Sequence, residues 1–212
     1  MKLGEIKLEA LKIMFANYNH DITIEGLVEC YADENYGSYL INMPGSINRC
    51  LSVIENKGVL PSKRVVLEAT RGVASGQFIR FDLSSMVPDI YIIERVIKED
   101  TYGFYNGDYQ YQLEGEVLVL DRPCENETYT LIYKPSLPRI TQDSSDINEL
   151  QGVPNNIACH IPYFIKGDLF REDEPNEASE ARNWFEQAMD EIQHSQINRV
   201  NQVQSIYTQT EY

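Results

Sequence analysis

Several residue types are scarce in this chain, and each scarcity closes off a class of chemistry. It has four cysteines and three histidines in 212 residues. Cys30, Cys50, Cys124 and Cys159 are scattered with no CxxC pair, which predicts free thiols in a reducing compartment. His20, His160 and His194 lie far apart, so the only adjacent pair, Cys159-His160, reads as a buried thiol beside an imidazole rather than as a metal centre. There is no GxSxG elbow, and the glycines of RGVASGQ (71–77) lack the lysine-hydroxyl pair of a phosphate loop. No apolar run reaches the length of a membrane span, and Glu5, Lys7 and Glu9 interrupt the first apolar stretch, so no secretory leader is expected. Positive charge is scarce as well: 18 Lys+Arg stand against 33 Asp+Glu, a net charge of −15. Such a surface repels nucleic acid and anionic membrane. The expectation is a protein with no cofactor, no metal and no catalytic residues, not an enzyme.

What the chain does have is two hydrophobic periods. Residues 3–18 place Leu3, Ile6, Ala10 and Ile13 on one helical face. A second helix is predicted over roughly 23–32, capped by Asp21 or Thr23. A third is predicted to start at Pro44, with Ile47, Leu51 and Ile54 as its stripe and Lys57-Gly58 as its stop. Near the other end, Ile157, Ile161, Ile165 and Leu169 recur every four residues, with Phe164 beside them. After an acidic turn, Ala178, Ala181, Phe185, Ala188 and Ile192 form a second stripe that Trp184 and Met189 should widen. Two helices this short need partners to bury both stripes.

After Pro61 the period becomes two. Ile79, Phe81 and Leu83 alternate with Phe78, Arg80 and Asp82, and DIYIIERVI, YQYQLE, EVLVLD and TYTLIY follow as strand-like runs. Asn106-Gly107 and Glu114-Gly115 predict hairpin turns. Residues 64–134 therefore predict an antiparallel unit of five or six strands, each beside its sequence neighbours. The predicted fold class is α+β: a helical bundle built from N-terminal helices (1–62) and C-terminal helices (141–195), with an inserted antiparallel β domain (63–140) and an extended tail (196–212).

Three features invite a ligand. Glu172–Glu174 lacks the alternating spacing of a calcium loop and reads as a solvated turn. Tyr102, Phe104, Tyr105, Tyr109 and Tyr111 are able to form a stacking platform for sugars, or to pack across a hairpin or at a subunit interface. The tail is polar but keeps Ile197, Val200, Val203, Ile206 and Tyr207 at roughly three-residue steps, which suits either a frayed end or a segment that orders on a partner.

Taken together, YLINMPGSINRCLSVIENKGVLP, the Tyr-rich hairpin with EVLVLD and TYTLIYKPSLPRIT, and above all IPYFIKGDLFREDEPNEASEARNWFEQAMDEI resemble the head–tail connector (portal adaptor) proteins of tailed bacteriophages. The resemblance rests on Pro162, Tyr163, Ile165, Gly167, Asp168, Leu169 and Asp173–Pro175, then Trp184, Phe185 and Glu186. It implies a helical bundle with, in several members, an inserted β domain. It also implies a viral structural protein of the virion, made in the host bacterial cytoplasm and placed at the portal vertex or neck. Such proteins form a homo-oligomeric ring, commonly a dodecamer, that joins the portal protein to the next neck or tail protein. The ring continues the DNA ejection channel, and an acidic lumen lets DNA pass without specific binding. The resemblance further implies a portal-docking tail at Val203, Ile206, Tyr207 and Tyr212, and a tail-facing or inter-subunit hairpin at Tyr102, Phe104, Tyr105 and Tyr109. The alternative is a distal tail or baseplate module that binds host glycan through the same hairpin.

Overall fold

Both periods take form in the computed structural model, which describes residues 1–15, 23–68, 78–99, 105–121 and 128–208 and is α+β. The chain divides into two units, Met1–Val59 with Leu137–Tyr212, and Leu60–Ser136.

The first unit is helical. α1 (Leu3–Met14) opens with the Glu5 carboxylate accepting from the Lys2 backbone N–H at 2.7 Å. It buries Leu3, Ile6, Ala10, Leu11 and Met14, and residues 16–18 of the predicted helix lie outside the described residues. α2 is a single turn, Leu27–Cys30, rather than the ten residues predicted. The Thr23 hydroxyl accepts from the Gly26 N–H at 3.3 Å, so Thr23 closes a turn where it was expected to cap a helix. α3 (Gly37–Lys57) starts a full turn and more before Pro44, which sits inside it. Proline has no N–H to return to the carbonyl of residue 40, but Leu40, Met43, Pro44 and Ile47 are all buried. Their packing offsets the one missing bond. The helix stops at Gly58, as predicted.

The second unit holds β1 (Lys63–Glu68), β2 (Ile79–Asp82), the one-turn α4 (Leu83–Met86), β3 (Ile90–Glu99), β4 (Tyr105–Tyr109), β5 (Tyr111–Glu114), β6 (Val117–Leu120) and β7 (Thr128–Pro135). Every pairing is antiparallel, but the strands are not ordered by sequence. One sheet runs β1-β7-β3-β4 and the other β2-β6-β5. β7 is central because Tyr129 to Tyr133 is buried without interruption, a pattern that suits a strand covered on both faces. Ile79 and Phe81 face the core while Arg80 and Asp82 face out, as their alternation predicts. YQYQLE does not form one strand: it breaks at Gln110, and its halves belong to different sheets. Asn106-Gly107 is no turn either, since both residues lie within β4 on the edge of β3. Gly115 does turn, at φ 65, between β5 and β6. Leu67, Val96, Leu118, Tyr129 and Leu131 form the centre of this unit's core.

The chain returns to the helical unit at Leu137, earlier than the predicted residue 140, for a local electrostatic reason. The Glu55 carboxylate accepts from the Leu137 N–H at 2.6 Å and pairs with the Arg139 guanidinium. α5 (Asn155–Ala158), α6 (Ile161–Leu169) and α7 (Pro175–Thr208) follow. α6 packs against α1, α3 and α7, so the chain itself supplies the partners that the C-terminal pair needs. The predicted extended tail is instead a continuation of α7 to Thr208. No glycine or proline occurs between Pro175 and Thr208, and each further residue adds one backbone hydrogen bond whatever its polarity.

Candidate functional site

The surface with most to offer a partner arises where α6 and α7 press together. Gly167 permits the approach: a Cβ there would stand 3.0 Å from the Ala178 carbonyl oxygen and 3.2 Å from the Arg182 nitrogen. Phe164 and Phe185 then meet edge to face at 5.1 Å between ring centres, and the Arg182 guanidinium lies 4.2 Å over the Phe164 ring. Phe185 fills the space between the helices and is fully buried. One residue earlier, about 100° round the helix, Trp184 points outward and is 58% exposed. It was expected to widen the buried face, and the close approach at Gly167 leaves no room for it there.

Trp184 forms one wall of a groove of about 260 Å³, with His160, Tyr163, Gln187, Ala188 and Glu191. Burial lowers the pKa of His160, against the opposing pull of Glu191, so the imidazole is neutral at pH 7. Glu191 is then the groove's only formal charge. An indole, a phenol, a neutral imidazole, an amide and a carboxylate around Ala188 make a surface suited to an inserted side chain.

A second concavity, of about 330 Å³, belongs to the β unit and is lined by Phe78, Tyr109, Gln110, Tyr111, Gln112, Val119 and Asp121. Tyr109 is partly spent on its own fold: its ring stands edge to face with Tyr129 at 4.8 Å, and its hydroxyl donates to the Asp121 carbonyl. Of the other hairpin residues, Tyr102 and Phe104 lie outside the described residues, and Tyr105 is described by its backbone alone, in β4. Of the docking residues, Val203, Ile206 and Tyr207 are described by a helical backbone, and Tyr212 lies outside. Of the expected site residues, Tyr109 alone has a described side chain. The structure brings forward Trp184 and Tyr163, and Phe78 with Tyr111.

The remaining candidates are structural. Burial raises the Cys50 thiol well above its ordinary pKa and raises that of Cys159, so neither is a thiolate at neutral pH. The turn Arg171–Glu174 is exposed, and the Tyr39 hydroxyl donates to Asp173 at 2.8 Å. Among the described residues no three His, Cys, Asp or Glu side chains gather to hold a metal ion, and no helix is long and apolar enough to cross a membrane. No protein-family model matches the chain, and no curated protein matches it.

Proposed function

We propose that this chain is a non-enzymatic structural protein of a tailed-phage virion, a ring-forming adaptor between the portal and the neck or tail. The observation that carries the reading is Trp184: the chain's only tryptophan lies uncovered on the same α6–α7 pair whose sequence phrases carry the resemblance. Tryptophan and tyrosine are the side chains most enriched where binding energy concentrates. The helical unit built from both chain ends, the β unit inserted into it and the net charge of −15 agree with the same role. In this reading neighbouring subunits cover the Trp184 groove, the end of α7 reaches the portal, and DNA slides past an acidic lumen.

The experiment is to mix the purified protein with the portal of the same genome and image the product by electron microscopy. The expected result is an added ring on one face of the portal, lost when the chain is cut before Val203. Folded proteins that fail to associate at near-physiological salt reject the adaptor. A second reading, a distal module that binds glycan, draws on the cleft beside Phe78 and Tyr111, where aromatic rings stand next to two glutamines and a carboxylate. Loss of adsorption to host cells on Tyr111→Ala, with the virion intact, would favour it.

A further inference from the structure

β1 is the outermost strand of its four-stranded sheet, and among the described residues only its β7 side is paired. Alternate residues along the other side present backbone N–H and C=O groups outward, a row that only an extended strand can satisfy in full. Native edges are commonly blunted by a proline, a bulge, an inward-pointing charge or outward charges, lysine above all. β1 lacks the first three: KRVVLE contains no proline, its register with β7 runs unbroken from Lys63 to Glu68, and Val65 and Leu67 face the core, so its own charged residues are the device that remains. The opposite edge, β4, pairs through a shifted register. On the outer face of β1, Val66 is 52% exposed, and Arg64 is exposed with no ion pair among the described residues.

This edge is complementary to itself. Two antiparallel copies about a two-fold axis at Val66 set Val66 against Val66 of the partner subunit, Val65 against the partner's Leu67, and strand position 64, an arginine, against position 68, a glutamate, twice over. Core-facing residues stay beside core-facing residues, as the pleat demands, and opposite charges stand directly across the seam. A one-residue slip breaks the first condition, and a two-residue slip breaks the second. We infer that the β1 edge is the contact of an isologous dimer of the unassembled protein, the two copies joining β1 to β1 in one continuous antiparallel sheet. The inference goes beyond the adaptor reading, because a two-fold contact closes on itself and does not build a ring. The seam is a single pair of short strands, so the dimer is weak and reversible.

Sedimentation equilibrium of the full chain from about 10 μM to about 1 mM tests it. The expected result is a concentration-dependent dimer. Arg64→Glu weakens it by about tenfold or more, and adding Glu68→Arg to that variant restores it, because each crossing again pairs opposite charges. In a Cys124→Ser/Cys159→Ser background, Val66→Cys oxidises to a reducible dimer at least about tenfold faster than Gln112→Cys, an exposed control in β5. A monomer throughout the range with equal cross-linking rates overturns the proposal, as does a dimer indifferent to Arg64→Glu. Arg64 and Val66 are exposed, and circular dichroism checks that the variants stay folded.

Discussion

The two units hold themselves together by different means. In the helical unit, charged groups reach into the interior. Lys7 is buried yet charged, with its ammonium 2.6 Å from Asp146 and 2.9 Å from the Tyr31 hydroxyl. The Glu55 carboxylate is equally enclosed and holds Leu137 and Arg139. Lys57 spans from α3 to both Glu186 and Asp190 on α7, and Lys166 pairs with Glu177 while donating to the Ile13 carbonyl. In the β unit, Lys63–Asp89, Arg80–Glu114 and Arg95–Asp108 lie at the surface, Lys134 is mostly enclosed between Glu94 and the Leu60 carbonyl, and the described core is apolar apart from the tyrosine hydroxyls and Thr130. A sheet satisfies its backbone through its ladders and needs little else. Short helices joined by long polar segments, here 137–154, need polar anchors to hold those segments down.

The contrast can be broken at several points. The largest effect is expected from cavities, which should cost each unit about the same. Phe185→Ala in the helical unit should lose about 3–5 kcal/mol and Leu131→Ala in the β unit about 2–5 kcal/mol, read by denaturant unfolding. Hydrogen exchange should show protection falling in the altered unit first. Glu55→Ala should cost about 2–3 kcal/mol, below a fully buried pair because Arg139 is half exposed. Arg80→Ala, its surface counterpart in the β unit, should cost under about 0.5 kcal/mol. Equal losses for these two would erase the distinction between the units.

Alkaline pH sharpens the comparison. Burial opposes the Lys7 ammonium, but hydrogen bonds to Asp146 and Tyr31 outweigh it and raise the pKa above the ordinary 10.5. Its contribution is therefore complete below pH 10.5 and lost as pH rises through the higher folded value. Burial, reinforced by the contact with Asp89, pushes Tyr133 from 10.0 up to about 12, so the β unit loses stability between those two values. Lys7→Met should flatten the alkaline loss of protection in α1, and Tyr133→Phe that in β7. If either variant leaves its unit's pH profile unchanged, that group is not the titrating one. The smallest effect on folding is expected at Trp184→Ala, under about 0.5 kcal/mol beside the several lost at its neighbour Phe185. Under the proposed adaptor role, that same variant should abolish ring addition to the portal.

What could be read in advance follows the reach of each interaction. Periods of 3.6 and 2 are local, so α1, the later part of α3, α6, the start of α7 and the alternation of β2 were legible, although the stripe expected from Ile157 to Leu169 divides into α5 and α6. Their sum, an α+β chain with a sheet unit between helices from both ends, was legible too. Pairing is not local. The alternation of Tyr109, Tyr111 and Leu113 says nothing of which strand lies alongside, and the sheets divide that run at Gln110. The Asn106-Gly107 signal made no hairpin turn: the two residues lie in β4 between the Tyr105 and Asp108 pairings with β3, where the register shifts. Pro44 misplaced a helix start because burial of its neighbours compensates for a missing hydrogen bond, which no local rule can weigh.

The sequence by itself thus determined the class of fold, the change of period after Pro61, the acidic surface and the inward stripes, since each depends on residue type and spacing within a few turns of chain. Only the tertiary structure decided which residues remain to meet a partner. Trp184 faces solvent because Gly167 lets α6 and α7 close over Phe185, and among the described residues β1 has a free edge because β7 went to the middle of its sheet. Exposure is what remains after packing has chosen, and packing is settled between residues far apart in the chain.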